Sequence, residues 1–444
     1  MGHTRERSIQ LRSPIEGKMS HPFKIFYGWY IVVICIISMV LIYGIRHSFA
    51  IFFSPILNEF GWSRGDIAMM LSLNIFAYGF LAPFAGALAD RWRPRILIPG
   101  GIVVLGLATA GCAFAEKLWH FYFLFGFLMS IGSAFSGWPI FAPALVNWFA
   151  KRRGLVLGLG QMGGGLSFVY SLFVEFAIRH LGWRHAFLAL AALLVITLLP
   201  LLFLLFFYRP EEKGMKPYGA DDFPTGGTVA SFARKKVTLG PPLQGKLMEV
   251  LKTPRLWCLV TSYALYWGIG GYLIMAHQVR FLQDKGFSST FSASIFALLG
   301  IMIFLGQLSS FLSDWMGRER THTLATCLSI CGLMALLFVR DTSQPYLLYA
   351  FSVFFGFGGG LATPVTYAAS ADIFHGRHFG TVGGLLLGGM GVGSILGPWL
   401  GGHLFDISGS YTIAFIFCII SLIFSCFFLW IAAPRNALPP KSPE

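Results

Sequence analysis

Apolar stretches of 18 or more residues recur along the whole chain and are separated by shorter polar segments. Each stretch is long enough to cross a hydrocarbon core of about 30 Å as a helix, a structure that satisfies its own backbone groups in lipid. The alternating ten-residue strands that build a membrane barrel do not occur in the sequence. We therefore predict an all-α membrane protein with twelve transmembrane helices, numbered here as spans 1 to 12: residues 27–53, 66–89, 96–115, 118–148, 153–178, 184–207, 255–281, 290–312, 321–339, 345–371, 380–402 and 411–433.

The composition supports a membrane protein and explains the basic net charge. Charged residues make up 12% of the chain, against about 25% in soluble domains, and the mean hydropathy is +0.69. Of the 33 Lys and Arg, 25 lie in the two ends and the even-numbered loops, and six lie in the odd-numbered loops. Because positively charged loops stay in the cytoplasm, we predict that both termini are cytoplasmic. The net charge of +14 then reflects topology, and we predict no binding to nucleic acid.

The cysteines and the first residues add two expectations. All seven cysteines fall within predicted spans without the spacing of a metal site, so we interpret them as small apolar fillers and expect no metal or cofactor. The first 22 residues lack the apolar core of a signal peptide. Met19 is a possible alternative start to Met1.

The second half of the chain repeats the first. "NEFGWS" around Gly61 matches "QDKGFS" around Gly286, and "GALADRWRPR" with Asp90 matches "SFLSDWMGRER" with Asp314. "WFAKRRGLVLG" matches "IFHGRHFGTVGG" at nearly the same offset. The predicted organisation is a cytoplasmic tail at 1–25, a six-helix half at 26–208, a cytoplasmic central loop at 209–252, a second six-helix half at 253–433 and a cytoplasmic tail at 434–444.

These features resemble the major facilitator superfamily: twelve spans, two repeated halves, a basic central loop and "GxLaDRxGxR"-like turns after spans 2 and 8. Within it, "YGWYIV", "YGIRHSFAIFF", "EFGWSRGDI", "WFAKRRGLVLG" and "LGWRHAF" are similar to bacterial relatives of the monocarboxylate transporters and oxalate/formate antiporters. The resemblance implies a secondary active transporter of the bacterial inner membrane. Its substrate would bind between the halves, which rock to expose the site to each side in turn.

The resemblance also implies a gate at the cytoplasmic turns. In the superfamily such a turn closes the inner side, where a carboxylate can meet the positive N-terminus of a facing helix. Arg93 and Ser310 replace glycines of the family pattern here, and plain anchoring by positive charge is the alternative interpretation. The predicted gate residues are Asp90, Arg91, Arg95, Asp314 and Arg318.

Arg46 and His47 stand side by side inside span 1. An arginine at the centre of a bilayer costs from about 2.5 to over 10 kcal/mol, so it needs water, a partner or a function. On a helix, Tyr43, Arg46 and His47 fall within about 100° of arc and could line one cavity. We predict that they hold a small anion. The alternatives are that Arg46 extends to the outer surface and that His47 is a hydrogen-bonded core residue.

Comparison with the monocarboxylate transporters and the oxalate/formate antiporters narrows the hypothesis of an anion site in span 1. A span 1 lysine of the monocarboxylate transporters aligns with His47, whereas their span 8 Asp and Arg fall on Ile303 and Gln307, and the span 11 lysine of the antiporters is missing. Only the cationic position in span 1 carries over. Because imidazole changes charge at physiological pH, we hypothesise that anion and proton enter together, with His47 charged only when the site is occupied.

The remaining candidates for the substrate site come from the resemblance, which implies a cavity lined by spans 1, 4, 7 and 10 with help from 2, 5, 8 and 11. A few hydrogen-bonding groups among aromatic side chains suit a small organic anion. The polar and aromatic residues near mid-depth are Asn74, Tyr78, Ser133, Trp138, Gln161, Tyr263, Tyr266, Trp267, Thr363, Thr366 and Tyr367.

The function predicted from the sequence is transport of a small monocarboxylate, with proton symport favoured over exchange and a monomeric chain in the lipid bilayer. Two alternatives stay open: efflux of an apolar or aromatic compound, and a transporter-like sensor that signals to a partner. No nucleophile–base set, metal cluster or nucleotide motif indicates an enzyme.

Overall fold

The computed structural model describes residues 26–91, 94–149, 153–219, 250–374 and 379–432. Both predicted tails, 1–25 and 434–444, and most of the central loop lie outside these residues. Within them the chain is nearly all helical, and eleven helical segments are long and apolar enough to cross a membrane. They are Gly28–Phe60, Arg64–Gly86, Pro94–Cys112, Leu118–Trp148, Val156–Leu205, Pro254–Asp284, Ser289–Met316, Arg318–Leu337, Pro345–Ile373, Thr381–Ser408 and Thr412–Ala432.

One of the eleven segments covers two of the predicted spans. Val156–Leu205 has 50 residues, which at 1.5 Å per residue is about 75 Å of helix, more than twice the thickness of a hydrocarbon core. Gly182 interrupts it with a non-helical backbone of φ 79° and ψ 158°, between predicted spans 5 and 6. Counting twelve spans, and placing both termini in the cytoplasm, stay predictions.

Span 7 contains a π-helical segment near its middle. The helix Pro254–Tyr263 continues into a π-helical segment, Ala264–Gly271, and then into the helix Tyr272–Asp284. Span 4 likewise contains the π-helical segment Tyr122–Leu128. Such segments are rare and often occur at functional sites. In span 7 the segment is flanked by Tyr263 and Tyr272, both of which turn out to border the candidate site.

The two halves approach each other closely where glycines meet, between spans 2 and 11 and between spans 5 and 8. A Cβ added to Gly79 would lie 2.8 Å from the carbonyl oxygen of Leu387. A Cβ added to Gly300 would lie 2.2 Å from the Cβ of Phe168. Glycine lets helix backbones approach in lipid, so these positions bring the halves close enough to share one site.

Candidate functional site

Arg46 lies inside the bundle and not at its surface. It is the second-last residue of the helix Gly28–His47, and 4% of its surface is exposed. Its Nε donates a hydrogen bond of 2.8 Å to Oδ1 of Asn74, whose amide nitrogen donates to the carbonyl of Phe125 at 2.7 Å. Span 4 therefore orients Asn74, and Asn74 orients the guanidinium. The alternative in which Arg46 extends to the outer surface does not hold in this structure.

Two tyrosine rings of the first half face the guanidinium. The Cζ of Arg46 lies 4.2 Å from the ring centroid of Tyr78 and 5.4 Å from that of Tyr43. The two tyrosine hydroxyls hydrogen-bond each other at 3.0 Å. A cation over an aromatic face gains about 0.5–2 kcal/mol, which offsets part of the cost of burying the charge. These four residues from spans 1 and 2, Asn74 included, form one unit around the cation.

The second half contributes Tyr272 to the same place. Tyr272 lines a small cavity together with Arg46 and His47, and it is near enough to the guanidinium to interact with it electrostatically. Arg46 Nη2 is buried and has no hydrogen-bond partner among the described residues. The cationic group thus has one terminal nitrogen available at the boundary between the halves.

Further tyrosines of the second half extend this aromatic region. The rings of Tyr263 and Tyr367 lie 5.6 Å apart in a T-shaped arrangement. Tyr263 is within electrostatic range of Tyr43, and Tyr367 of Tyr78. We refer to the five residues from both halves as the tyrosine cluster: Tyr43, Tyr78, Tyr263, Tyr272 and Tyr367.

The cavity beside Arg46 is small in this conformation, with room for about one water molecule. Apart from Arg46, His47 and Tyr272, its walls are apolar. They are formed by Phe49, Ala50, Leu71, Met275 and Phe296. A molecule larger than water therefore cannot enter this cavity unless its walls move apart.

His47 borders the same cavity and is held by span 5. Its Nδ1 lies 2.8 Å from Oγ of Ser167, and its ring stacks on Phe168 with centroids 4.0 Å apart. The Ser167 hydroxyl donates its single proton to the carbonyl of Gly164 at 2.6 Å. Nδ1 must therefore be the donor to Ser167, which leaves Nε2 of a neutral imidazole free to accept a proton. His47 can therefore be a hydrogen-bonded residue of the core and still accept a proton on Nε2.

The other predicted site residues are not all brought together. Trp267 is 8% exposed, and its Nε1 donates to Oγ1 of Thr363 at 2.7 Å. Tyr266 points elsewhere: its hydroxyl bonds Oγ of Ser329 at 2.7 Å, and its ring contacts His322 of span 9. In this conformation Tyr266 thus contacts the core of the second half, and its place in the substrate site stays a prediction.

Trp138 and Gln161 belong to spans 4 and 5 of the first half. A Cβ added to Gly160 would lie 3.0 Å from the Trp138 ring, so this ring packs against the helix that carries Gln161. Both side chains are half-buried. Neither has a described contact with Arg46, and their place in the substrate site stays a prediction.

The predicted cytoplasmic gate is described only in part. The side chains of Asp90 and Arg91 lie outside the described part of the structure. Arg95 stacks on Phe207 at 4.4 Å, within the first half.

In the second half, Arg318 joins the turn to span 10. Its Nε donates to Asp372 at 2.8 Å and its Nη1 to Asp314 at 2.6 Å. These bonds hold the turn within the second half, whereas a contact of Asp314 with span 5 is not seen among the described residues.

Sequence reasoning missed Tyr272 and the apolar cavity wall. Tyr272 stands at mid-depth of predicted span 7, so the depth criterion that selected Tyr263 would also have selected it. Met275 and Phe296 carry no such signal, because an apolar residue in a membrane span is the rule.

Comparison with known proteins identifies the family. The family model described as Major Facilitator Superfamily matches residues 34–345 and 311–444. Monocarboxylate transporter 13 of Bos taurus is 26% identical over 395 residues, covering 88% of this chain and 85% of the relative. Monocarboxylate transporter 11 of Homo sapiens is 27% identical over 440 residues, covering 94% and 85%. These relatives are transporters and not enzymes, as the sequence predicted.

Solved structures of the same fold support this assignment. A D-xylose–proton symporter aligns with a TM-score of 0.68 at 14% identity, over 93% of this chain and 98% of its own. A bacterial homologue of the human lysosomal transporter Spinster, inward-facing and occupied, aligns with a TM-score of 0.66 at 17% identity, over 94% and 100%. At these identities the likeness shows the fold alone. The chain belongs to the Major Facilitator Superfamily, as a multi-pass membrane transporter related to the monocarboxylate transporters.

Proposed function

We propose that this protein carries a small monocarboxylate across the bacterial inner membrane by alternating access, together with a proton. The observation that carries the proposal is the unpartnered Nη2 of a buried arginine at the boundary between the halves. A buried polar atom without a partner costs about 1–3 kcal/mol, and more when it is charged. A carboxylate would remove this cost and neutralise the charge.

The fixed orientation of Arg46 determines how a carboxylate would bind. Asn74 occupies Nε, so the side of the guanidinium that combines Nε with a terminal nitrogen is not available for two-point binding. Nη2, the terminal nitrogen without a described partner, remains to donate a charge-assisted hydrogen bond to the carboxylate. Tyr272 borders the same cavity and would donate its hydroxyl proton to the bound anion. A ligand held by both halves stabilises the closed arrangement around itself.

The direct test is uptake of labelled monocarboxylates into proteoliposomes that contain the purified protein. Uptake should saturate, and an inwardly directed proton gradient should raise its initial rate. Vesicles without protein provide the background. Failure of every monocarboxylate in a chemically varied panel to enter above this background would refute the proposed substrate class.

Efflux of an apolar or aromatic compound is the second candidate, and the tyrosine cluster favours it. The cluster offers aromatic surface from both halves to a flat ligand, and its hydroxyls, two of which now bond each other, would serve as hydrogen-bonding groups. Cells that express the protein would then accumulate less of an aromatic dye, while carboxylate uptake by vesicles would stay at background. The two candidates therefore give opposite results in the same pair of assays.

Replacing His47 by glutamine should abolish the dependence of uptake on external pH between about pH 5 and 8, the range in which imidazole changes charge. The parent protein should take up substrate faster as the external pH falls. The amide of glutamine can still bond Ser167 but cannot take up a proton. His180→Gln is the matched control, since His180 is exposed and bonds the carbonyl of Phe176. A pH profile of His47→Gln that matches the parent would rule out His47 as the proton site.

A further inference from the structure

At the predicted outer end, the side chain of Arg64 from the first half inserts among Asp284, Phe405 and Tyr411 of the second half, which we call the socket. Arg64 begins span 2, and its side chain is 11% exposed. Its Nη1 donates to the carboxylate of Asp284 and to the hydroxyl of Tyr411, the latter at 2.8 Å. Its Cζ lies 3.6 Å from the ring centroid of Phe405. Carboxylate, hydroxyl and aromatic face all belong to the second half.

The backbone at the same position makes a second connection. The amide nitrogens of Arg64 and Gly65 donate to the two carboxylate oxygens of Asp406, at 3.1 and 2.9 Å. A helix N-terminus carries partial positive charge and unpaired N–H groups, which a carboxylate satisfies. The contact needs a glycine at 402, because a Cβ there would lie 2.5 Å from the carbonyl carbon of Arg64.

Neighbouring groups hold the socket in shape. The hydroxyl of Tyr411 accepts from Arg64 and donates to Nδ1 of His277 at 3.2 Å, while Nε2 of His277 donates to the carbonyl of Pro398 at 2.7 Å. Arg280 binds Asp284 from the same helix, at 3.0 Å.

Arg280 also makes a further bond between the halves. Its Nη1 donates to Oδ1 of Asn58 at 3.2 Å. Asn58, Arg280, Asp284 and Arg64 thus form a continuous chain of polar contacts that crosses from the first half to the second and back.

We propose that Arg64 is the residue that locks the outer end of the carrier, and that Asp284, Asp406 and Tyr411 form its receptor. We call these four residues the outer lock. Opening the outer path requires the first half to withdraw Arg64 and the start of span 2 together, which breaks both connections in one step. The lock therefore sets how often the path to Arg46 opens to the outside.

The inference rests on the alternating-access part of the proposed function and not on the identity of the substrate. The hydrogen bonds described between the halves are concentrated at this end. When the lock opens, Asp284 would lose Arg64 and keep only Arg280, and Asp406 would lose the N–H groups of Arg64 and Gly65, which water would have to replace. The closed state is therefore favoured until substrate binding or release supplies the difference.

The experiment measures access to the cavity from outside, without any substrate. Ala50 is 1% exposed and lines the cavity beside Arg46, so an Ala50→Cys thiol should react with a membrane-impermeant thiol reagent when the outer path is open. Intact cells that express Ala50→Cys are labelled with this reagent in the presence or absence of Arg64→Ala. The chain without Ala50→Cys gives the background of the native cysteines. Loss of the lock should raise the labelling rate by about tenfold or more, as expected from the loss of one charge-assisted hydrogen bond.

Arg184→Ala is the matched control. Arg184 also lies at the predicted outer end, pairs with the carboxylate of Glu59 and stacks on Trp183 at 4.2 Å, but all three residues belong to the first half. Its removal should leave the labelling rate of Ala50→Cys unchanged. This control separates the loss of a surface arginine from the loss of a connection between the halves.

Asp406→Asn provides an independent variant should Arg64→Ala fail to reach the membrane. It removes the charge that holds the start of span 2 while keeping nearly the same shape, and it should also speed labelling. Labelling at the rate of the Arg184→Ala control in every lock variant that folds would overturn the proposal. That result would leave carboxylate uptake by the parent protein untouched, so the lock and the proposed substrate can fail separately.

Discussion

Uptake of the monocarboxylate substrate should fall by about 100-fold when Arg46 is replaced by glutamine. Removing one partner of a buried, hydrogen-bonded charge pair costs about 2–5 kcal/mol, and 2.7 kcal/mol corresponds to a factor of 100. The glutamine side chain can still reach the amide of Asn74, so the local packing is retained. The bound carboxylate would lose its cation and the Nη2 donor that holds it. The initial uptake rate into proteoliposomes at a fixed, low substrate concentration measures this loss.

Two comparisons make the result specific to the charge at this position. Arg46→Lys keeps a cation but offers a point charge instead of a planar fork, so uptake should lie between that of the parent and that of Arg46→Gln. Arg184→Gln removes an arginine from the predicted outer surface and should leave uptake unchanged. Parent-like uptake by Arg46→Gln, in protein that elutes and melts as the parent does, would refute the proposed role of Arg46.

Gly360→Ala should lower the free energy of unfolding by about 3 kcal/mol or more. Its added Cβ would lie 2.0 Å from the carbonyl oxygen of Ile303 and 2.7 Å from its carbonyl carbon, atoms of the span 8 backbone. Overpacking commonly costs about 1–3 kcal/mol when side chains can adjust, whereas a backbone in a membrane helix can move only with its whole span. The melting temperature of the purified protein should fall by roughly 5 °C or more.

Gly388→Ala is the matched control for this prediction. Gly388 is also inside a membrane helix, Phe379–Ser408, but a Cβ there would have no atom within 4 Å. Alanine is the better helix former by about 1 kcal/mol, so this variant should melt at the same temperature as the parent or slightly above it. Equal melting temperatures of the Gly360→Ala and Gly388→Ala variants would contradict the packing between spans 8 and 10.

Much of the architecture could be predicted because the constraint that lipid imposes is local. A backbone in hydrocarbon must satisfy its own hydrogen bonds, so each apolar stretch of sufficient length is a helix whatever surrounds it. Repetition of motifs around Gly61 and Gly286 then indicated two halves, and the family comparison agrees with that fold. The boundary between spans 5 and 6 was also placed from sequence at the point where Gly182 breaks the helix.

The candidate site was predicted less completely, because the depth of a residue along a span does not determine the direction in which its side chain points. Arg46 and Tyr78 were selected by depth and do meet. Tyr266 was selected by the same criterion but faces Ser329, and Tyr272 was overlooked although it borders the cavity. The π-helical segment Ala264–Gly271 contains Tyr266 and ends just before Tyr272. A π-helical turn shifts the direction of the side chains relative to an α-helix, and the residue pattern does not predict where one occurs.

The sequence by itself determined that the chain is a two-part helical membrane protein with a cationic residue inside span 1. Periodicity and hydropathy carry that information because both act within a single helix. Only the tertiary structure decided what the charges meet: Arg46 finds Asn74 28 residues away, and the backbone of Arg64 finds Asp406 342 residues away. The packing of helices across the bundle determines such partners. That packing depends on side chains from both halves at once.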